Sequence, residues 1–145
     1  MAINVQIKGL KELEARFKDL DKKFHKEVSG IVERGAQLWV SGAKRQAPID
    51  MGWLAGAITY YPVEQSKHRT AFRIVSGKEY SPYVEWGTIT RVNVPADLQG
   101  YAVQFKGRGI KKNGGIFPRP FFFPQRPIVK ASVEKGISAI ARDLK

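Results

Sequence analysis

His25 and His68 are the two histidines of the chain, and neither reads as having a partner at metal-ligand spacing. His25 lies between Phe24 and Lys26 on an amphipathic stretch, and His68 sits inside the basic run Lys67-His68-Arg69. Both read as ordinary surface or boundary residues. Glu64, Glu79 and Glu85 fall on separate elements, so their spacing makes no carboxylate pair for acid and base work. Gly107, Gly109, Gly114 and Gly115 imitate a phosphate-cradling loop in composition only, because no Lys followed by Ser or Thr comes after Gly114. The chain has no cysteine, which removes disulfides, thiolate metal sites and a thiol nucleophile. An enzyme is not expected, and no cofactor is implied.

The stronger chemical signal is positive charge. The formal net charge is +12, and residues 89–127 carry seven basic side chains against one acidic. Lys106, Arg108, Lys111 and Lys112 cluster in a glycine-rich stretch with Tyr101, Phe105 and Phe117 nearby. Cations neutralise phosphates and aromatic faces stack on bases, so these four are the candidate DNA-facing residues. No helix-turn-helix, zinc-finger or RNA-recognition signature accompanies them, which limits the expectation to sequence-nonspecific backbone contact. The competing reading is a solvated loop that keeps the protein soluble by self-repulsion.

The elements that would position these residues follow from periodicity. Ile3, Val5 and Ile7 alternate with polar residues as a short strand that Gly9 ends. From Leu10 the apolar residues recur at three and four, through Leu13, Phe17, Leu20, Phe24, Val28, Ile31 and Leu38, which predicts a helix to about Gln46. Pro48 stops it. At about 1.5 Å per residue this helix would be roughly 55 Å long, longer than the ~40 Å diameter of a compact domain of this size. It must overhang the globule or bend, and Gly30, Gly35 and Gly42 are either bend points or places of close backbone approach.

Ala57–Tyr61 and Ala71–Val75 predict a hairpin joined by a polar Glu64–Arg69 connection. Tyr80–Trp86, with Pro82 suited to a first helical turn, predicts a short helical or irregular segment. Tyr101–Phe105 alternates as a strand would, and Lys106–Gly115 reads as an exposed loop. Ile128 or Val129, Val133, Ile137, Ile140, Ala141 and Leu144 form a second helical stripe, which predicts a helix from about Pro124 onwards. The expected fold class is α+β: one domain over residues 1–145, with a small antiparallel sheet packed against the long N-terminal helix, a C-terminal helix, and a mobile insertion around 89–116. The first eight residues lack a basic start and apolar run, so no signal peptide is expected, and no window suits a membrane span.

Three motifs carry a resemblance. Ala47-Pro48-Ile49-Asp50-Met51-Gly52-Trp53-Leu54, directly after the long helix, resembles the Ala-Pro-x-Asp-Thr-Gly-x-Leu signature of the gene-10-like family of lambdoid siphophages, which are tail-completion or head-to-tail joining proteins. Tyr80-Ser81-Pro82-Tyr83-Val84-Glu85-Trp86-Gly87-Thr88 is similar to that family's Tyr-Ala-x-Tyr-Val-Glu-Phe-Gly-Thr, and Arg119-Pro120-Phe121-Phe122-Phe123-Pro124 resembles its Pro-Phe-Leu-x-Pro. The opening Gly9-Leu10-Lys11-Glu12-Leu13 is also typical. The resemblance covers nearly the whole chain except 89–116, and Met51 departs from the family's usual threonine.

The resemblance implies a structural protein of the virion neck or tail, made in the host bacterial cytoplasm. It implies a homo-oligomer, a hexameric ring by the symmetry of the tail, that meets the head-side connector and the tail terminator or tube proteins; the expectation of nonspecific contact with packaged DNA comes from the charge of the basic loop, which the resemblance does not reach. The residues it singles out for structure or assembly are Pro48, Asp50, Gly52, Leu54, Tyr83, Glu85, Trp86, Gly87, Thr88, Pro120, Phe121 and Pro124. Each also has a plain structural reading. Pro48 to Gly52 is a helix stop and turn in which Asp50 can bond a backbone amide and Gly52 can take a positive φ. The aromatics are core or subunit-interface rings. Glu85 either pairs with a cation on a neighbouring subunit or caps a local turn. The alternative to a virion component is a free, sequence-nonspecific nucleic-acid-binding protein.

Overall fold

A computed structural model of the chain describes residues 10–49, 52–66, 69–88, 94–105 and 115–143. The expected strand at Ile3–Ile7, the turn residues Asp50 and Met51, His68, and the basic loop with Lys106, Arg108, Lys111 and Lys112 lie outside the described residues.

Helix α1 spans Leu10–Gln46, with Glu12 in its first turn and Lys44 and Arg45 in its last, charges that suit the helix dipole. After Pro48 the chain makes a one-turn helix, α2 (Trp53–Gly56), and then the hairpin of β1 (Ile58–Gln65) and β2 (Thr70–Ser76). The strands pair antiparallel, Ile58 opposite Ser76 and Gln65 opposite Thr70, with a bulge between Pro62 and Glu64. Both are longer than their apolar alternation suggests, because ladder bonds extend into the polar residues: only Ser66 to Arg69 connect them, closed by Ser66 N–H to Arg69 O at 2.8 Å. Helix α3 (Ser81–Trp86) follows, then a 3-10 turn (Ala96–Leu98), α4 (Gln99–Val103) and α5 (Gln125–Asp143). This is an α+β arrangement of a long N-terminal helix, a two-stranded antiparallel sheet and a C-terminal helix.

The expected strand at Tyr101–Phe105 is corrected: Tyr101 to Val103 belong to helix α4, and Gln104 and Phe105 form the turn that closes it. The apolar residues there also fit helical spacing, with Leu98, Ala102 and Phe105 four and three apart, and this is the set that packs with Trp86, Val94 and Phe123 in a small cluster. Burial decided between two periods that five residues satisfy equally.

The main core sits where the last turns of α1 meet α2, β1 and the segment before α5: Ala43, Ala47, Leu54, Ile58 and Phe121 are buried together, with Trp39, Val40 and Phe122 against them. The sheet lies along α1, tied by Gln37 Nε2 donating to the Tyr60 hydroxyl at 3.0 Å. Helix α5 runs antiparallel along the second half of α1. A Cβ on Gly35 would come within 2.7 Å of a Val133 methyl, one on Gly136 within 2.9 Å of an Ile31 methyl, and Gly42 is covered by the Gln125 side chain. Gly35 and Gly42 are therefore places of close approach, whereas Gly30 meets only the end of Arg34 at 3.4 Å. The first half of α1 overhangs, as its length requires, and every residue from Lys11 to Leu20 is exposed. No helix among the described residues is long and apolar enough to cross a membrane.

Candidate assembly site

Tyr80 begins a tight turn into α3, and Pro82 occupies the first helical turn, where a missing amide hydrogen costs nothing. The six-residue helix ends because Gly87 leaves helical space at φ 64°, ψ 175°, a region open to glycine. Its N–H still bonds Tyr83 O at 2.9 Å. The exit brings the next residues against the segment before α5. Thr88 N–H donates to Ile116 O at 2.8 Å, Thr88 Oγ1 accepts the Ile116 N–H at 2.8 Å, and Arg119 N–H donates to Val84 O at 2.8 Å. A Cβ at Gly87 would lie 2.6 Å from Pro118 N, so only glycine permits this approach.

Glu85 completes the junction. Its carboxylate is buried, 2% exposed, and accepts three consecutive backbone N–H groups: Phe121 at 2.8 Å and Phe122 at 2.9 Å on Oε2, Phe123 at 3.1 Å on Oε1. Those amides precede α5 in a segment outside both sheet and helix, and a carboxylate supplied from α3 satisfies them. Burial pushes the Glu85 carboxyl above its ordinary range, and the three amides pull in the opposite direction. Around it Trp86 stacks on Phe123 at 5.1 Å, Tyr83 meets Phe105 edge-on at 5.3 Å, and Trp39 contacts Phe122 at 5.6 Å. The indole N–H groups of Trp39 and Trp86 are buried without a hydrogen-bond partner among the described residues.

The motif residues thus come together. Leu54 packs with Phe121 in the main core, and Glu85, Gly87 and Thr88 grip the stretch from Ile116 to Phe123. Gly52 takes φ 70° as its turn requires, while Pro120 and Pro124 are exposed. Among the described residues Glu85 meets neither a cation nor a turn next to it in sequence, but the backbone of a segment 36 to 38 residues on. Sequence reasoning missed Gln125, buried at the start of α5, whose amide donates to Gln46 Oε1 at 2.8 Å and to Phe121 O at 3.4 Å. Its position behind a proline cluster carries no periodic signal.

An open cleft of about 630 Å³ runs between the end of β2, α3 and the phenylalanines, lined among others by Lys78, Glu79, Glu85, Tyr101 and Phe105. Glu85 is committed to backbone amides there. Among the described residues no group of three or more His, Cys, Asp or Glu is placed to hold a metal ion. A buried carboxylate that satisfies a turn fixes geometry, which is the work of a scaffold. The family model described as "Bacteriophage HK97-gp10, putative tail-component" matches residues 11–87, from the first turn of α1 to the glycine that ends α3. The chain belongs to the HK97-gp10-like family of bacteriophage tail components. No curated protein and no solved structure matches it significantly. In this gp10-like chain the matched region supplies α1, the hairpin and Glu85, whereas the amides that Glu85 holds lie beyond it, at residues 121–123. A structural tail component of the virion is what the family establishes.

Proposed function

We propose that this gp10-like chain is the tail-completion or head-tail joining component of a long-tailed phage, acting in the neck by assembling into a ring, six copies by the symmetry of the tail, and not by catalysis. The observation that carries the reading is the convergence of the three family motifs on a purely structural junction. Among the described residues Glu85 is the buried charged side chain, and all of its hydrogen bonds go to backbone amides. What is left at the surface is contact area: Ile49, Trp53 and Phe117, beyond the end of α1, are large apolar side chains held in water. Partners in the neck, a head-side connector and a tail terminator or tube protein, would cover such surfaces.

The basic segment Lys106, Arg108, Lys111 and Lys112 would face packaged DNA if the ring encloses its path, touching phosphates without reading sequence. A lysate of phage lacking the protein should contain filled heads and separate tails, and purified wild-type virions should contain it at a stoichiometry matching one ring. Normal particles without the protein, or its absence from virions together with salt-dependent DNA binding by the free monomer, would replace this reading with that of a free nucleic-acid-binding protein.

A further inference from the structure

The exposed half of α1 carries an apolar seam that is out of phase with the stripe on its buried half. Leu10, Leu13, Phe17, Leu20 and Phe24 follow one another at three, four, three and four residues, a strict seven-residue seam over two heptads. Beyond Phe24 the next seam position holds Glu27, and Ile31 already packs on Gly136 of α5. The seam therefore ends where α5 begins to cover the helix. Leu13, Phe17, Leu20 and Phe24 are 52, 62, 47 and 36% exposed.

The flanks of the seam are sorted by sign. Glu14 and Asp21 lie on one side at equivalent heptad positions, and Arg16 and Lys23 lie on the other. Two such helices placed antiparallel would bring acid to acid and base to base. Placed parallel and in register, each brings its Arg16 beside Asp21 of the other, because the flank position of one heptad faces the opposite flank of the next. Asp21 also contacts His25 Nε2 of its own helix at 3.2 Å, one turn on.

We infer that the N-terminal half of α1 pairs with the same segment of a second copy of this chain, as a parallel two-heptad coiled coil in which Arg16 and Asp21 form reciprocal ion pairs. Two heptads are short for an independent coiled coil, which usually needs three or four, so the contact is weak in dilute solution and strengthens when copies are gathered. The inference stands without the ring. A reciprocal pair is two-fold, so it joins copies in twos and is a contact separate from the head-to-tail one that a ring repeats.

Sedimentation equilibrium of the full chain at low salt, from micromolar to millimolar protein, tests it with Arg16→Glu, Asp21→Arg, their equimolar mixture and the double variant. Wild type should self-associate, and each single variant should do so about 5- to 10-fold more weakly, since like charges replace both reciprocal pairs. The mixture and the double variant should recover to within about 2-fold of wild type, because opposite charges face each other again. Circular dichroism should be unchanged throughout, as the altered side chains lie on the overhanging half of α1. A wild type that stays monomeric to millimolar concentration overturns the inference, and so does association that the mixture fails to restore. Virion stoichiometry reads the ring separately, so loss of one result leaves the other standing.

Discussion

Glu85 Oε2 and the Phe121 N–H lie 2.8 Å apart across 36 residues of sequence, and that bond joins the helix that ends the family-matched region to the turn that launches α5. The same oxygen takes the Phe122 N–H and its twin the Phe123 N–H. Replacing Glu85 with Gln keeps the shape but turns one acceptor into a donor aimed at an amide. Unfolding in urea should show a loss of about 1–3 kcal/mol, the cost of an unsatisfied buried donor. Stability within error of wild type would show that the turn holds without the carboxylate.

The pH response of that variant has a definite sign. Burial raises the folded Glu85 carboxyl above its ordinary value of 4.5, so the folded state binds the proton more tightly than the unfolded chain. Stability from this group is then present in full below 4.5 and is lost as pH rises through the window up to the raised folded value. The gap between wild type and Glu85→Gln should accordingly widen as pH is lowered from neutral toward 4.5. Asp97, held below the usual carboxylate range by its hydrogen bond from Arg126, acts in the opposite direction but equally in both proteins. A gap that narrows on acidification would contradict the assignment.

Gly52 and Gly87 both have positive φ, at 70° and 64°, yet they should respond differently. A Cβ on Gly52 meets nothing within 4 Å, so Gly52→Ala costs only backbone strain, about 1–2 kcal/mol, and Gly52→Asn less. A Cβ on Gly87 collides with Pro118 as well. Gly87→Ala should lower the thermal midpoint further than Gly52→Ala, and Gly52→Val should reduce phage yield, leaving filled heads and separate tails. Equal midpoints for the two alanine variants would discount the Pro118 contact.

The glycines of α1 divide in the same way. Gly30→Ala should stabilise by about 0.5–1 kcal/mol, since among the described residues a Cβ there meets the flexible end of Arg34 alone, at 3.4 Å. Gly35→Ala pushes on Val133 across the α5 interface and should destabilise by about 1–3 kcal/mol, with Val133→Ala restoring part of the loss in the double variant. Additive effects of Gly35→Ala and Val133→Ala would mean that the two positions do not touch.

The extent of α1 from Leu10 to Gln46, the hairpin, the short helix after Tyr80 and the start of α5 follow from neighbours in the chain: apolar spacing, a proline stop and turn residues are local facts. The charge sorting beside the α1 seam is equally local. Whether Tyr101–Phe105 is strand or helix depended on Trp86 and Phe123, which lie outside that segment and offered a surface only helical spacing could meet. Whether Gly35 bends α1 or admits another helix depended on Val133, and whether Glu85 meets another subunit or its own backbone depended on amides 36 to 38 residues away. Periodicity records what each segment must bury, but contact across the chain arises when the elements pack together, and that packing chose the partner of each of these residues.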